Sequence, residues 1–161
     1  MKNEEAPPER RQLDPRYRDK LFALINESPF VRHMAMRLAD LQWGSARFEM
    51  DAADFRLQPF GVVHGGNIAT LIDSATFWAC FLSLGTDDDA LTSVDLRLNY
   101  LGAARVEPLD CVATLIKAGK RLSYAEARVV NKKGDLIAHG TSTLMRLPGL
   151  GIKLGLPMWT P

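Results

Sequence analysis

The sequence predicts an α+β domain in which a curved antiparallel sheet wraps one long, buried helix. Two patterns predict this architecture: an apolar segment with helical spacing in the middle of the chain, and a series of segments with strand-like alternation after it. A length of 161 residues with 47% hydrophobic residues suits one globular domain that buries most of its apolar surface. We therefore expect one domain rather than two.

The central helix is predicted to begin at Gly65 and Gly66 and to end at Gly85. Its apolar residues recur at helical spacing: Ile68, Leu71, Ile72, Ala75, Ala79 and Leu82. Because so much of its surface is apolar, the helix needs cover on most sides. Asp73 and several hydroxyl residues interrupt the apolar stretch, which makes a membrane-spanning segment a poor interpretation. We expect a buried core helix and no membrane partner.

Four strands are predicted after this helix. Polar and apolar residues alternate over residues 93–100, and the apolar ones are expected on a buried face: Val94, Leu96, Leu98 and Tyr100. Further strands are expected at residues 111–116, 123–130 and 136–145, with a hairpin turn at 131–135. Small residues at strand positions would let the helix lie close to the sheet, with a poorly packed sheet as the alternative: Ala125, Ala127, Ala138 and Gly140.

Before the central helix, the sequence predicts a short helix and a hairpin. Helical spacing runs from Pro15 to about Asn26. Residues 45–50 then alternate between polar and apolar side chains, and Trp43 with Gly44 suits the turn between two strands. We expect the first strand pair at this point.

Three segments are expected along the chain: a disordered lead at residues 1–14, a folded domain at 15–146 and a Gly/Pro-rich tail at 147–161. The tail is predicted to pack either on a partner subunit or on its own domain, and the sequence does not choose between them. The N-terminal residues lack the apolar stretch of a secretory signal, which indicates a cytoplasmic protein.

Charge and cysteine content exclude several classes of partner. The chain has 20 basic and 19 acidic residues and no run of Lys and Arg, so nucleic-acid binding is not expected. Cys80 and Cys111 lie in apolar segments without another Cys or His at metal-ligand spacing. We expect two buried free thiols in a reducing compartment, and no metal site.

The chemistry is expected in the segment QPFGVVHGGNIATLID, residues 58–73. Gly65 and Gly66 stand where a loop meets the first helical turn, so their amides lack intrahelical partners and face the positive end of the helix dipole. Without a side chain, either glycine would let a substrate carbonyl approach, which suits an oxyanion hole.

Asp73 lies in apolar surroundings that disfavour a carboxylate unless it is functional or paired. It suits a general base or nucleophile; the alternative is a cap for a neighbouring loop or an ion pair with Arg97.

Two further polar residues of this segment have alternative roles. His64 either transfers a proton or holds the loop by hydrogen bonds. Gln58 either donates its amide to a substrate carbonyl or orders the turn before Pro59.

The string His64-Gly65-Gly66 followed by Asp73, with Ser93-Val94-Asp95 at the start of the next strand, resembles the PaaI-type and 4-hydroxybenzoyl-CoA-type hotdog thioesterases. The resemblance covers roughly residues 35–146. It implies a hotdog fold, a homo-oligomer that is a dimer or a dimer of dimers, and active sites at the subunit interface. It also implies an acyl-CoA substrate and no cofactor, since coenzyme A is part of the substrate.

The resemblance assigns roles to single residues. Asp73 matches the acid that acts as general base or nucleophile, and Gly65 or Gly66 matches the backbone donor, which comes from the other subunit. His64 matches a supporting histidine, and Gln58 matches an amide that faces the thioester.

Five more residues complete the predicted site. Ser93 matches a hydroxyl residue near the acyl end that can help to place the water. Asn67 and Thr92, next to these motifs, are assigned to substrate binding. Lys120 and Arg121, between two predicted strands, could meet the CoA phosphates, or they form a solvated hairpin tip.

The expected function is hydrolysis of an aryl- or short- to medium-chain acyl-CoA. A hotdog hydratase or dehydratase is one alternative, but it needs a His and acid pair placed to exchange a proton at the acyl α-carbon. No second histidine lies near the helix, since His33 and His139 lie elsewhere in the sequence. A non-catalytic acyl-CoA-binding module is the other, and a buried Asp73 argues against it because binding an anionic ligand gains nothing from an acid. Aromatic residues could line an acyl pocket, with at least two expected in the core: Phe60, Phe77, Trp78 and Phe81.

Overall fold

The computed structural model describes residues 12–160, so most of the predicted disordered lead lies outside the described residues. Three α-helices and six strands follow in chain order: α1 (Pro15–Asn26), α2 (Pro29–His33), β1 (Met36–Gln42), β2 (Ser45–Met50), α3 (Gly65–Phe81), β3 (Ala90–Tyr100), β4 (Leu109–Ala118), β5 (Leu122–Asn131) and β6 (Leu136–Leu147). Short 3-10 turns span Asp54–Arg56 and Leu82–Leu84. The predicted N-terminal helix, first hairpin, central helix and later strands are all confirmed.

The six strands form one antiparallel sheet in the order β1-β2-β4-β5-β6-β3. The long helix α3 lies across this sheet and contacts all six strands. The predicted α+β architecture is therefore confirmed. In this order β1 and β3 are the two edge strands. The strand that follows the central helix in sequence, β3, is therefore an edge of the sheet.

The helix α3 can lie close to the sheet because the strands beneath it present small residues. Ala125, Ala127 and Ala138 are fully buried under the helix. A Cβ atom at Gly140 would lie 2.9 Å from Cγ2 of Ile72 and 2.8 Å from the carbonyl oxygen of Arg97. The expected close packing is confirmed, and Gly140 lies against Ile72, the residue before Asp73.

The helical stretch Gly65–Leu84 is long and apolar enough to cross a membrane by length and composition, but half of its apolar window is buried inside the protein. This is the pattern of a core helix, as expected.

Cys80 and Cys111 are free and buried. Burial raises the pKa of the Cys80 thiol to about 12, so this thiol stays protonated and unreactive at neutral pH. The cytoplasmic location stays a prediction.

The predicted buried face of β3 is wrong at Val94 and Tyr100, whose side chains are 51% and 54% exposed. A β-bulge between Ser93 and Asp95 shifts the pairing of β3 with β6. Because the bulge adds one residue, Ser93 rather than Val94 turns towards the helix. Tyr100 faces the first turn of the helix, beyond the end of the core.

The tail folds against its own chain. The indole Nε1 of Trp159 donates to the carbonyl of Gly85 at 3.1 Å, and Nζ of Lys20 donates to the carbonyl of Leu154 at 2.8 Å. The amide of Thr160 donates to the carbonyl of Gln12 at 2.8 Å. These contacts place the tail against its own domain, and packing of the tail on a partner subunit stays a prediction. The segment from Gln12 to α1 is part of this folded region.

Gly140→Ala is expected to lower the free energy of unfolding by about 1 to 3 kcal/mol, because the added methyl group meets the helix and a neighbouring carbonyl. Urea unfolding followed by circular dichroism measures the change. Thr143→Ala, on the opposite face of the same strand, is the control. If Gly140→Ala and the control have the same free energy of unfolding, the helix does not lie as close to the sheet as described.

Candidate active site

The first turn of α3 presents one backbone amide that has no partner. His64 is the N-cap of the helix, and its Nδ1 accepts a hydrogen bond from the amide of Gly66 at 2.9 Å. The amide of Asn67 donates to the carbonyl of His64 at 2.9 Å. Among residues 12–160, the amide of Gly65 donates to no atom. Of the two candidate glycines, Gly65 therefore has the amide that is free for a substrate oxygen.

The loop before α3 is anchored by Arg56, a residue that the sequence analysis missed. Its buried guanidinium donates to the carbonyls of Met34 at 2.7 Å and Ala35 at 3.1 Å. Its own carbonyl accepts from the amide of His64 at 2.7 Å and from Nδ2 of Asn67 at 3.1 Å. Burial lowers the pKa of the Arg56 guanidinium. Arg56 thus ties the start of the helix to α2 and β1, and Asn67 uses its side-chain amide in this network.

Gln58 orders the turn that precedes the helix. Its Oε1 accepts from the amide of Phe60 at 2.7 Å, and its carbonyl accepts from the amide of Gly61 at 2.9 Å. The amide nitrogen Nε2 of Gln58 has no partner within the described part of the chain. The structure therefore shows the turn-ordering role and leaves a donor available for a ligand. Phe60 is 89% exposed and lines no described core.

Asp73 lies on α3 opposite the start of β3, half-buried rather than fully buried. The hydroxyl of Ser93 donates to its Oδ1 at 2.7 Å. Arg97 instead pairs with Asp95, with Nε and Oδ2 3.2 Å apart, so the ion pair between Asp73 and Arg97 is absent. Asp73 and Ser93 share an open groove of about 370 Å³.

A second groove, of about 420 Å³, lies at the start of the same helix. Gly65, Ile68 and Tyr100 line it together with residues 101–104. The hydroxyl of Tyr100 donates to the carbonyl of Gly65 at 3.1 Å. Asp73 is eight positions after Gly65, a rise of roughly 12 Å along the helix. The free amide and the carboxylate therefore lie in two separate grooves, which we call the Gly65 half-site and the Ser93 half-site.

The remaining predicted residues lie near the Ser93 half-site but outside its groove. Thr92 precedes Ser93, so its side chain faces the other side of the sheet. Lys120 and Arg121 form the exposed tip of the hairpin between β4 and β5. Leu122, next to this tip, and Thr92 of β3 both pair with Met145 of β6. The cations therefore lie at the Ser93 end of the sheet, two strands away.

Neither other histidine joins these half-sites. The ring of His33 lies 6.3 Å from that of Phe55, and Nε2 of His139 lies 3.2 Å from Oε2 of Glu126. Within residues 12–160, no three His, Cys, Asp or Glu side chains form a metal-binding cluster. The His and acid pair that a hydratase needs is therefore not found at Asp73 in this part of the chain.

Comparison with known proteins identifies the family of the chain. The family described as Thioesterase superfamily matches residues 60–138. Acyl-coenzyme A thioesterase 13 from Homo sapiens is 33% identical over 130 residues, covering 78% of this chain and 91% of that protein. Medium/long-chain acyl-CoA thioesterase YigI from Escherichia coli is 28% identical over 148 residues, covering 79% of this chain and 94% of the relative.

Solved structures share the same arrangement of helix and sheet. The PaaI protein from the phenylacetic acid degradation operon of E. coli superposes with a TM-score of 0.76 at 18% identity, covering 86% of this chain and 98% of that one. A thioesterase family protein from Silicibacter pomeroyi has a TM-score of 0.75 at 29% identity, covering 83% and 99%. The predicted hotdog fold is confirmed.

Arg56→Met is expected to lower the free energy of unfolding by about 2 to 3 kcal/mol, because the carbonyls of Met34 and Ala35 lose a charged donor. Urea denaturation provides the measurement. Arg105→Met, which removes an exposed cation, is the matched control. Equal stability of the two variants would show that Arg56 does not anchor the loop.

Proposed function

The chain belongs to the thioesterase superfamily of hotdog-fold hydrolases, and on this premise we propose that it hydrolyses acyl-CoA thioesters at active sites shared between two subunits. One observation carries the proposal. The carboxylate of Asp73 and the free amide of Gly65 lie on the same helix but too far apart to act on one thioester. A second subunit is therefore needed to complete each site.

The edge strand β3 supplies a route to such a dimer. The half-site of Asp73 and Ser93 lies at its beginning, and the half-site of Gly65 and Tyr100 lies at its end. An edge strand presents unpaired backbone groups that can pair with another chain. Antiparallel pairing of β3 with its copy, about a twofold axis near the middle of the strand, would bring opposite half-sites together. It would also cover the exposed Val94.

The mechanism follows from the groups at the two half-sites. Ser93 occupies Oδ1 of Asp73, so Oδ2 can accept a proton from a water molecule. The water oxygen attacks the thioester carbon, and the developing oxyanion receives a hydrogen bond from the amide of Gly65 in the other subunit. The tetrahedral intermediate then collapses to the free acid and expels the CoA thiolate. The thiolate takes the proton that Asp73 received from water. The proposal uses only protein groups, with no cofactor and no metal.

Other residues bind the substrate in this proposal. Lys120 and Arg121 are available for the CoA phosphates at the Ser93 end of the sheet. Nε2 of Gln58 is available for the thioester. We propose an acyl group of the aryl or short- to medium-chain class. Phe77, which lies one turn beyond Asp73 on α3 and is half-buried, is the aromatic residue proposed to contact it. The aromatic residues after it belong with the core, as expected: Trp78 packs edge-on against the fully buried Phe81.

Asp73→Asn is expected to lower kcat by about 100- to 10,000-fold with little change in KM, because the amide cannot take a proton from water. The rate of thiol release from a panel of aryl, short-chain and medium-chain acyl-CoA thioesters gives kcat and KM and identifies the preferred acyl class. Asp95→Asn removes another carboxylate of the same groove and is the control. A kcat of Asp73→Asn equal to that of the control would end the assignment, and binding without hydrolysis by the wild type would favour the acyl-CoA-binding alternative.

Gly65→Pro is expected to lower kcat by about 100-fold or more, because proline removes the amide hydrogen that would bind the oxyanion. Proline is tolerated at the first position of a helix, and the extended backbone of His64 suits the residue before it. Gly65→Ala is the control, since it adds a Cβ beside the ring of Tyr100 but keeps the amide. Equal losses in both variants would show that crowding, and not the amide, explains the effect.

A further inference from the structure

We propose that Tyr100 is a positioning residue that orients the oxyanion donor Gly65 from the edge strand. This inference rests on the proposed function, because it concerns the same site. It starts from a hydrogen bond that crosses between elements: the hydroxyl of Tyr100, at the end of β3, donates to the carbonyl of Gly65 at 3.1 Å.

The peptide group between Gly65 and Gly66 is held by side chains at both of its polar atoms. Its carbonyl accepts from Tyr100, and its amide, that of Gly66, donates to Nδ1 of His64. Two consecutive glycines are conformationally free, and the first turn of a helix lacks half of its backbone hydrogen bonds. The free Gly65 amide belongs to the preceding peptide, whose carbonyl, that of His64, accepts from the amide of Asn67 at 2.9 Å. The two peptides meet at the Cα of Gly65, so holding the second one limits rotation at this Cα and supports the direction of the free amide.

Tyr100 is placed on a firm support. Its Cα pairs with that of Ala138 in β6, and the two residues after Tyr100 both donate their amides to the carbonyl of Ile137. The phenol ring also fills the space beside Gly65, where a Cβ atom would lie 3.1 Å from Cζ of Tyr100. The ring thus limits the movement of Gly65 on one side, while the hydroxyl fixes its carbonyl.

The position of Tyr100 also explains why its ring is half exposed although it follows an apolar pattern. It lies at the mouth of the groove that includes Val62 and Ile68, beyond the core. A tyrosine kept only for core packing would be covered. This ring has one side against Gly65 and the other open to the groove in which the substrate would lie.

Tyr100→Phe tests the inference because it keeps the ring and removes only the hydroxyl. We expect kcat to fall about tenfold, as for the loss of one hydrogen bond that acts in the transition state, while KM stays within about twofold. Thiol release is measured with the best substrate of the wild type. Tyr124→Phe, at an exposed tyrosine of β5, is the control and should keep the activity of the wild type.

A double-mutant cycle separates positioning from a general structural effect. If Tyr100 acts through the Gly65 amide, Tyr100→Phe should change kcat much less in the Gly65→Pro background than in the wild type. Equal loss in both backgrounds would overturn the inference. The inference would also be overturned if kcat of Tyr100→Phe equalled that of the active wild type while Asp73→Asn was inactive. The proposed function would remain intact in that case. A wild type that hydrolyses no acyl-CoA would instead remove the proposed function, and this inference with it.

Discussion

The contact between the helix α3 and the edge strand β3 is the constraint on which the site depends. Two hydrogen bonds mark the ends of this contact: Ser93 donates to Asp73, and Tyr100 donates to Gly65. The small residues beneath the helix let it lie close enough for both bonds to form. The strand that orients the carboxylate therefore also holds the turn that presents the free amide.

In the proposed function, this arrangement separates the two chemical functions of a thioester hydrolase along one helix. The positive end of the helix dipole and a free amide favour a developing negative charge at Gly65. The carboxylate of Asp73 lies two turns away, where it does not compete for that amide. In the proposed function, this separation prevents one chain from acting alone, and a twofold axis through the edge strand would place the two functions opposite each other. The loop network of Arg56 supports the amide end of this arrangement.

Local patterns predicted most of the fold, whereas the details of the site depended on tertiary contacts. Apolar spacing located α1 and α3, and alternation located the strands, because both signals arise from neighbours in sequence. The wrong burial predicted for Val94 and Tyr100 arises from the bulge at Val94 and from the position of Tyr100 beyond the end of the core, which strand alternation does not reveal. Arg56 was missed because a lone arginine in a polar loop resembles any surface cation until its burial is known. The choice of Gly65 over Gly66 depends on the direction of the His64 side chain.

The most direct test of a shared active site is the activity of a mixed dimer. Chains carrying Asp73→Asn and chains carrying Gly65→Pro would be co-expressed with different tags, and the heterodimer purified by both tags. If Asp73 of one subunit acts with Gly65 of the other, one of the two sites in each heterodimer is intact, and the activity should be about half that of the wild type. If the heterodimer is no more active than either variant alone, the two residues act within one chain and the account of a shared site is wrong.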